Sequence, residues 1–225
     1  MGLNVRRRLI GALQGVVIAG CVLAGAATAT AQNRLGPAAP PSYDNKFEVY
    51  GGLNFMNFQG GQALPKRMNL GGGEAMGTYY VTRKLGVGAD YRWDAGTTPV
   101  IANPYVKNRP LVMLNTIMGG VQYRGPKNHY AAIDYHAFFG VSHGDFTYST
   151  GNVLQQYGPN AVAATGLYTN RTKPVGAFGG SVDFNRSRNM AIRIQPDLIY
   201  EHFGTESRLF FSISGGVVWR LGRKR

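Results

Sequence analysis

The chain has one cysteine, Cys21, in 225 residues. That excludes a disulfide framework and a Cys-rich zinc site. Charge is also scarce, at 16% against about 25% for an average soluble protein. Acid is the scarcer sign: Asp and Glu total 11 against 24 Lys and Arg, giving a net charge of +13. After the N-terminal apolar run there is no other of about 18 residues, so no second membrane helix is expected. What is abundant is glycine, 32 residues, and aromatics, at 12%. So many aromatics with so little charge exclude a disordered chain. The glycine argues against a helical bundle, because glycine weakens helices.

The N-terminus reads as an address. Arg6, Arg7 and Arg8 precede an apolar run from Leu9 to about Ala27, which ends in Ala29-Thr30-Ala31-Gln32. A basic start, an apolar middle and a small-x-small end describe a secretory signal peptide over 1–31. Two other readings compete: an uncleaved anchor, and a lipoprotein signal at Ile18-Ala19-Gly20-Cys21. Apolar sequence continues past Cys21, where a lipoprotein turns polar, which favours cleavage after Ala31. Residues 32–44, rich in Pro and Ala, read as a linker.

Beyond the linker the hydrophobic period is two. Leu85, Val87, Ala89, Tyr91 and Trp93 alternate with Gly86, Gly88, Asp90, Arg92 and Asp94. Strands alternate side chains in this way. Seven further segments follow the pattern: Phe47–Phe58, Glu74–Thr82, Leu111–Arg124, Tyr130–His143, Val175–Phe184, Met190–Glu201 and Arg208–Leu221. Most span about 10–14 residues. Soluble strands average about 5–6, whereas a tilted membrane strand needs about 9–11. Pro196 cannot donate to a ladder, so a bulge or local defect is expected there.

The connections alternate between short and long. Arg83-Lys84, Gly125–His129 and Asn185–Arg188 are tight turns, while Gln59–Gly73, Ala95–Pro110 and Gly144–Pro174 are long. An up-and-down barrel puts alternate connections at opposite ends. The expected fold is therefore all-β, an eight-stranded antiparallel up-and-down transmembrane barrel over 45–222, followed by a basic tail at 223–225. The short turns and tail carry Arg83, Lys84, Arg124, Lys127, Arg186, Arg188, Arg223, Lys224 and Arg225 and no acid. A ring of cations at one rim suits lipid phosphates better than a nucleic-acid duplex. No nucleic-acid motif accompanies it.

Phe47-Glu48-Val49-Tyr50-Gly51-Gly52, the strand Leu85–Trp93 and the closing Ser214-Gly-Gly-Val-Val-Trp219 resemble the bacterial outer-membrane β-barrel superfamily. The resemblance is to its small eight-stranded members, akin to the OmpA transmembrane domain and OmpX, and covers about 45–222. It implies a place in the cell outer membrane, with the N-terminus and short turns on the periplasmic side. It also implies two partners, outer-membrane lipids and the barrel-assembly machinery. The chain departs from the pattern at its end. Such barrels close on an aromatic residue, and here six residues follow Trp219.

The polar faces assemble one candidate constellation: Glu48, Asp90, Arg92, Asp134, His136, Asp183, Arg193, Asp197, Glu201 and Arg220. An eight-stranded barrel has room for side chains but not for a wide channel, and buried charges must pair. A structural salt-bridge network filling a polar lumen is expected; an ion path is the alternative. Asp134 and His136, two apart on one face, form half of a hydrolase arrangement. Ser142 and His143 face opposite ways, and no Gly-x-Ser-x-Gly elbow is present. No catalytic set, cofactor site or metal spacing emerges. The expected role is a non-enzymatic structural or adhesion-type barrel. A narrow channel or a small-molecule or lipid transporter is the runner-up, and a lipid-modifying enzyme comes third. The Gly144–Pro174 loop has no charged side chain from Phe146 to Asn170 and is the candidate surface for an extracellular partner.

Overall fold

The computed structural model describes residues 41, 43–62, 64, 66–104, 109–146 and 164–223. The expected signal segment 1–31 and nearly all of the expected linker lie outside them, as do Lys224 and Arg225. Eight strands form one closed antiparallel barrel in chain order. They are β1 (Asn45–Phe58), β2 (Met68–Tyr80), β3 (Leu85–Thr97), β4 (Leu111–Lys127), β5 (Ala131–Asp145), β6 (Arg171–Asn185), β7 (Met190–Glu201) and β8 (Arg208–Arg223). Closure leaves no free edge, so every strand has a partner on both sides.

The register fixes the shape. A path from Phe47 through Tyr79, Val87, Val121, Ala137, Phe178, Leu198 and Phe211 returns to β1 at Asn57, ten residues along. Such a stagger tilts strands by roughly 40°. Every residue on that path except Ala137 and Asn57 is a large apolar side chain facing outward. Exposed apolar side chains continue all round the wall, from Leu53, at 77% exposure, to Ile117 and Phe139. Inward positions carry eight of the chain's carboxylates, all buried. A water-soluble fold places its residues the other way round. An apolar wall around a charged interior has a bilayer as its solvent, and a closed barrel is one of the two structures that satisfy the backbone there.

Several boundaries differ from the sequence reading. β2 begins at Met68 rather than Glu74, because Gly71, Gly72 and Gly73 pair in register with β1 despite lacking side chains to show a period. β5 and β6 extend into the expected 144–174 loop, which narrows to 146–170, and 147–163 lie outside the described residues. Arg223 belongs to β8, paired with Asn45, and not to a tail. At Pro196 the expected irregularity is a local defect and not a bulge. Register is kept along β6 and β7, but pairing is missing between Gly179↔Asp197 and Val182↔Ile194. Among the described residues the register shifts between Arg124 and Lys127.

Packing inside depends on absent side chains. Phe138 is fully buried and lies over Gly120 and Gly88. A Cβ at Gly120 would collide with the Ala137 carbonyl and with Phe138, whereas one at outward-facing Gly71 meets nothing within 4 Å. Gly120→Leu should therefore abolish the folded, heat-modifiable band in detergent gels, and Gly71→Leu should keep it. Equal behaviour of the two variants would contradict this register.

Candidate functional site

All ten residues of the expected constellation point into the barrel and are buried. They do not form one uniform network. The lumen has three levels.

The first level lies at the short-turn end. Arg193 on β7 is fully buried and contacts three acids: Asp183 at 2.6 Å, Asp134 at 3.1 Å and Glu48 at 3.3 Å. Arg124 binds Glu48 at 2.8 Å, and Arg220 binds Asp183 at 2.9 Å. Three guanidiniums thus meet three carboxylates. Arg124 is the exception to the expected cationic rim. It occupies an inward position on β4, stacked 3.3 Å from the Tyr80 ring centroid. Tyr43, in the expected linker, closes the level from below. Its carbonyl accepts from Arg124 at 2.8 Å, and its ring lies between Lys127 and Arg220. Burial raises the Tyr43 hydroxyl above the ordinary phenol range. Carboxylate oxygens of Glu48, Asp134 and Asp183 lie within 4.8 Å of one another, close enough to ligate a metal ion. Guanidiniums already occupy that role.

The second level is centred on Arg92, which reaches Asp197 at 2.5 Å, Asp90 at 2.8 Å and Glu74 at 3.3 Å. Gln195 donates to Glu74 at 2.6 Å. Glu74 was missed in the sequence because its glycine neighbours hide the alternation. His136 contacts Asp197 at 2.7 Å. The suggested Asp134–His136 pair does not form, since Asp134 turns to Arg193 and Gln122. Ser142 bonds Thr116 at 2.8 Å, and His143 faces outward to Thr172. Among the described residues, no hydroxyl is hydrogen-bonded to His136. The arrangement can hold charge, and among the described residues no hydroxyl or thiol stands beside its imidazole.

The third level, at the long-loop end, is apolar, contrary to the expected polar lumen. Phe58, Phe146, Phe203 and Phe210 are buried with Tyr168, Leu64 and Leu167. Phe58 and Phe210 ring centroids are 4.8 Å apart, and Phe146 meets Phe203 edge-on at 5.2 Å. Backbone bonds tie the loops above: Tyr168 N–H to Gly60 O at 3.0 Å, and Ile101 N–H to Thr165 O at 3.2 Å. Between this cap and the second level lie Asp94, held by Asn54 at 2.9 Å, and Glu201. Neither has an ion-pair partner among the described residues. Glu201 is therefore buried beside the aromatic cap rather than inside the ion-pair network. Asp94, on the polar face of the β3 alternation, is interior.

Three closed levels within eight staggered strands define the architecture. The fold is that of the small eight-stranded outer-membrane barrels. Neisserial surface protein A is similar at 10% identity over 78% of this chain and 97% of that one, with a TM-score of 0.51. Ail, the attachment invasion locus protein of Yersinia pestis, is similar at 15% identity over 79% and 99%, with a TM-score of 0.47. No protein-family model and no curated protein matches the sequence.

Removing one partner from a buried ion cluster leaves uncompensated charge, at a cost of about 3–5 kcal/mol. Arg193→Met should lower the unfolding free energy in lipid by that amount, measured by urea titration. Arg208→Ala removes the exposed pair with Glu206 and a 3.3 Å hydrogen bond to the Gln62 carbonyl, and should cost about 1 kcal/mol.

Proposed function

We propose that this outer-membrane barrel is a non-enzymatic structural or surface-interaction protein whose lumen does not conduct. The observation that carries the reading is the triple closure of the interior. Tyr43 and the three-guanidinium cluster fill the short-turn end, Arg92 and its acids fill the middle, and the aromatic cap fills the long-loop end. A water path through it would have to break buried ion pairs and separate packed rings together. His136, held by an acid and without a hydroxyl partner, supports no acyl-transfer chemistry. Short turns facing the periplasm and the assembly machinery as a partner belong to the same reading. Interaction then falls to the long-loop end, where Lys66, Arg67, Arg109 and Arg171 surround the cap.

One observation favours a second reading. The interrupted β6–β7 ladder at Pro196 is a weak place in the wall, suited to a lateral route for an apolar ligand. Planar-bilayer reconstitution and protease access on whole cells test the two readings together. The expected result is no steady conductance, cleavage of the long loops from outside and no phospholipid hydrolysis. Steady conductance would overturn the occluded reading. Uptake of an apolar solute that stops when a disulfide ties β6 to β7 would favour the second. Lipid cleavage lost in His136→Ala would make the protein an enzyme.

A further inference from the structure

The lipid-facing wall is not evenly convex. On β1–β3, near the short-turn end, a groove of about 390 Å³ runs between side chains of Phe47, Val49, Tyr79 and Val87, over a floor of Gly77 and Ala89. Register explains it. Gly77 pairs with Val49 on one side and Ala89 on the other, and Ala89 pairs in turn with Gly119, so three small residues lie side by side between Val49 and Phe139. The Phe47 and Tyr79 rings, 5.0 Å apart, stand at its lower end. Nothing inside the barrel requires a glycine at 77, since a Cβ there meets nothing within 4 Å. Gly51, which pairs with Ala75 farther up the wall, is equally unconstrained.

Charge sits where the groove ends. The β2–β3 turn directly below Tyr79 and Val87 presents Arg83 and Lys84, and β1 adds Lys46 just before Phe47; all three are exposed. Lys84 Nζ lies 6.0 Å from the Tyr123 ring centroid on the outer wall. Asp44 is the acid nearest in sequence to this corner, and it is also exposed.

We propose that this groove and its three cations form a site for one anionic diacyl phospholipid. The acyl chain lies on Gly77 and Ala89, and the phosphate meets Lys46, Arg83 and Lys84. The assignment rests on the membrane-barrel reading, with the short turns at the phospholipid leaflet. Cations at a membrane surface attract anionic headgroups in general. The groove adds a place for one chain, and so selects a retained lipid rather than a diffuse excess.

The full chain reconstituted in nanodiscs of equal phosphatidylglycerol and phosphatidylethanolamine, then released into mild detergent, tests this by native mass spectrometry. One phosphatidylglycerol should remain bound to the wild type. Gly77→Leu with Ala89→Leu should reduce its retention at least fivefold while the heat-modifiable folded band persists. Arg83→Gln with Lys84→Gln should keep a bound lipid but bring the two headgroups close to equal occupancy. Gly215→Leu, on the β8 wall where a Cβ's nearest neighbour is 4.0 Å away, should change neither. Unchanged retention in the groove-filled variant, or equal headgroup occupancy in the wild type, would overturn the proposal. A wild type that shows no heat-modifiable form would instead refute the membrane-barrel reading itself.

Discussion

Neutralising buried charge is the constraint on which the rest of this structure depends. Eight carboxylates lie inside a barrel with a hydrocarbon-facing exterior. An isolated charge in that setting costs far more than a folded protein's whole stability margin. Arg193 is placed to prevent this at the short-turn end, because β7 lies between β6, which carries Asp183, and β8, which carries Arg220. Its cross-strand neighbour is Asp183 itself. Glu48 and Asp134 come from farther round the wall, reached across the lumen. Sheet register and ion pairing are thus one specification. A one-residue slip of β7 would turn Arg193 to lipid and leave three acids without their shared partner.

Most of the architecture was legible because inside and outside differ so strongly. Alternation of period two gave the strands, and alternating connection lengths gave the two ends. Where reading failed, side-chain signal was missing or misleading. The β2 start disappeared into Gly71–Gly73, which leaves Glu74 looking like a strand end rather than an inward position. Arg124 sat close to a turn and looked like a rim cation, yet its parity with Gln122 on β4 already pointed inward. His136 is close to Asp134 in sequence and shares its face. Its partner, Asp197, comes from β7, and no strand spacing reveals which residues meet across a lumen. The aromatic cap was hidden for a different reason. Phe58 and Phe210 keep the inward parity of β1 and β8, but Phe146 and Phe203 come from loops, and no strand period shows that the four rings meet.

Glycine serves two purposes in this wall, and orientation separates them. Inward glycines such as Gly120 make room for a neighbour's side chain, so an eight-stranded barrel can hold Phe138 as well as its charges. Outward glycines such as Gly71 and Gly77 make room for nothing in the protein. In a strand interior glycine has an entropic cost and packs no surface. At inward positions the close packing of Phe138 offsets that cost. At outward positions any offset must come from whatever lies against the wall.

The interior also changes character from end to end, which bears on where function can reside. At the short-turn end cations and acids balance, three against three. In the middle Arg92 faces three acids, with His136 beside Asp197. At the long-loop end the lumen becomes a packed aromatic core stitched to the loops. A permeation path would favour continuous polarity and water contact along its length. This lumen instead places its most water-averse layer at the mouth nearest the long loops. The aromatic core gives those loops a rigid base, because Tyr168 and Leu167 belong to both. Buried charge holds the barrel closed, and backbone bonds at Gly60, Ile101, Thr165 and Tyr168 tie the described loop segments above the cap together. In the proposed reading, recognition rests on that base and belongs to the loop rim above it.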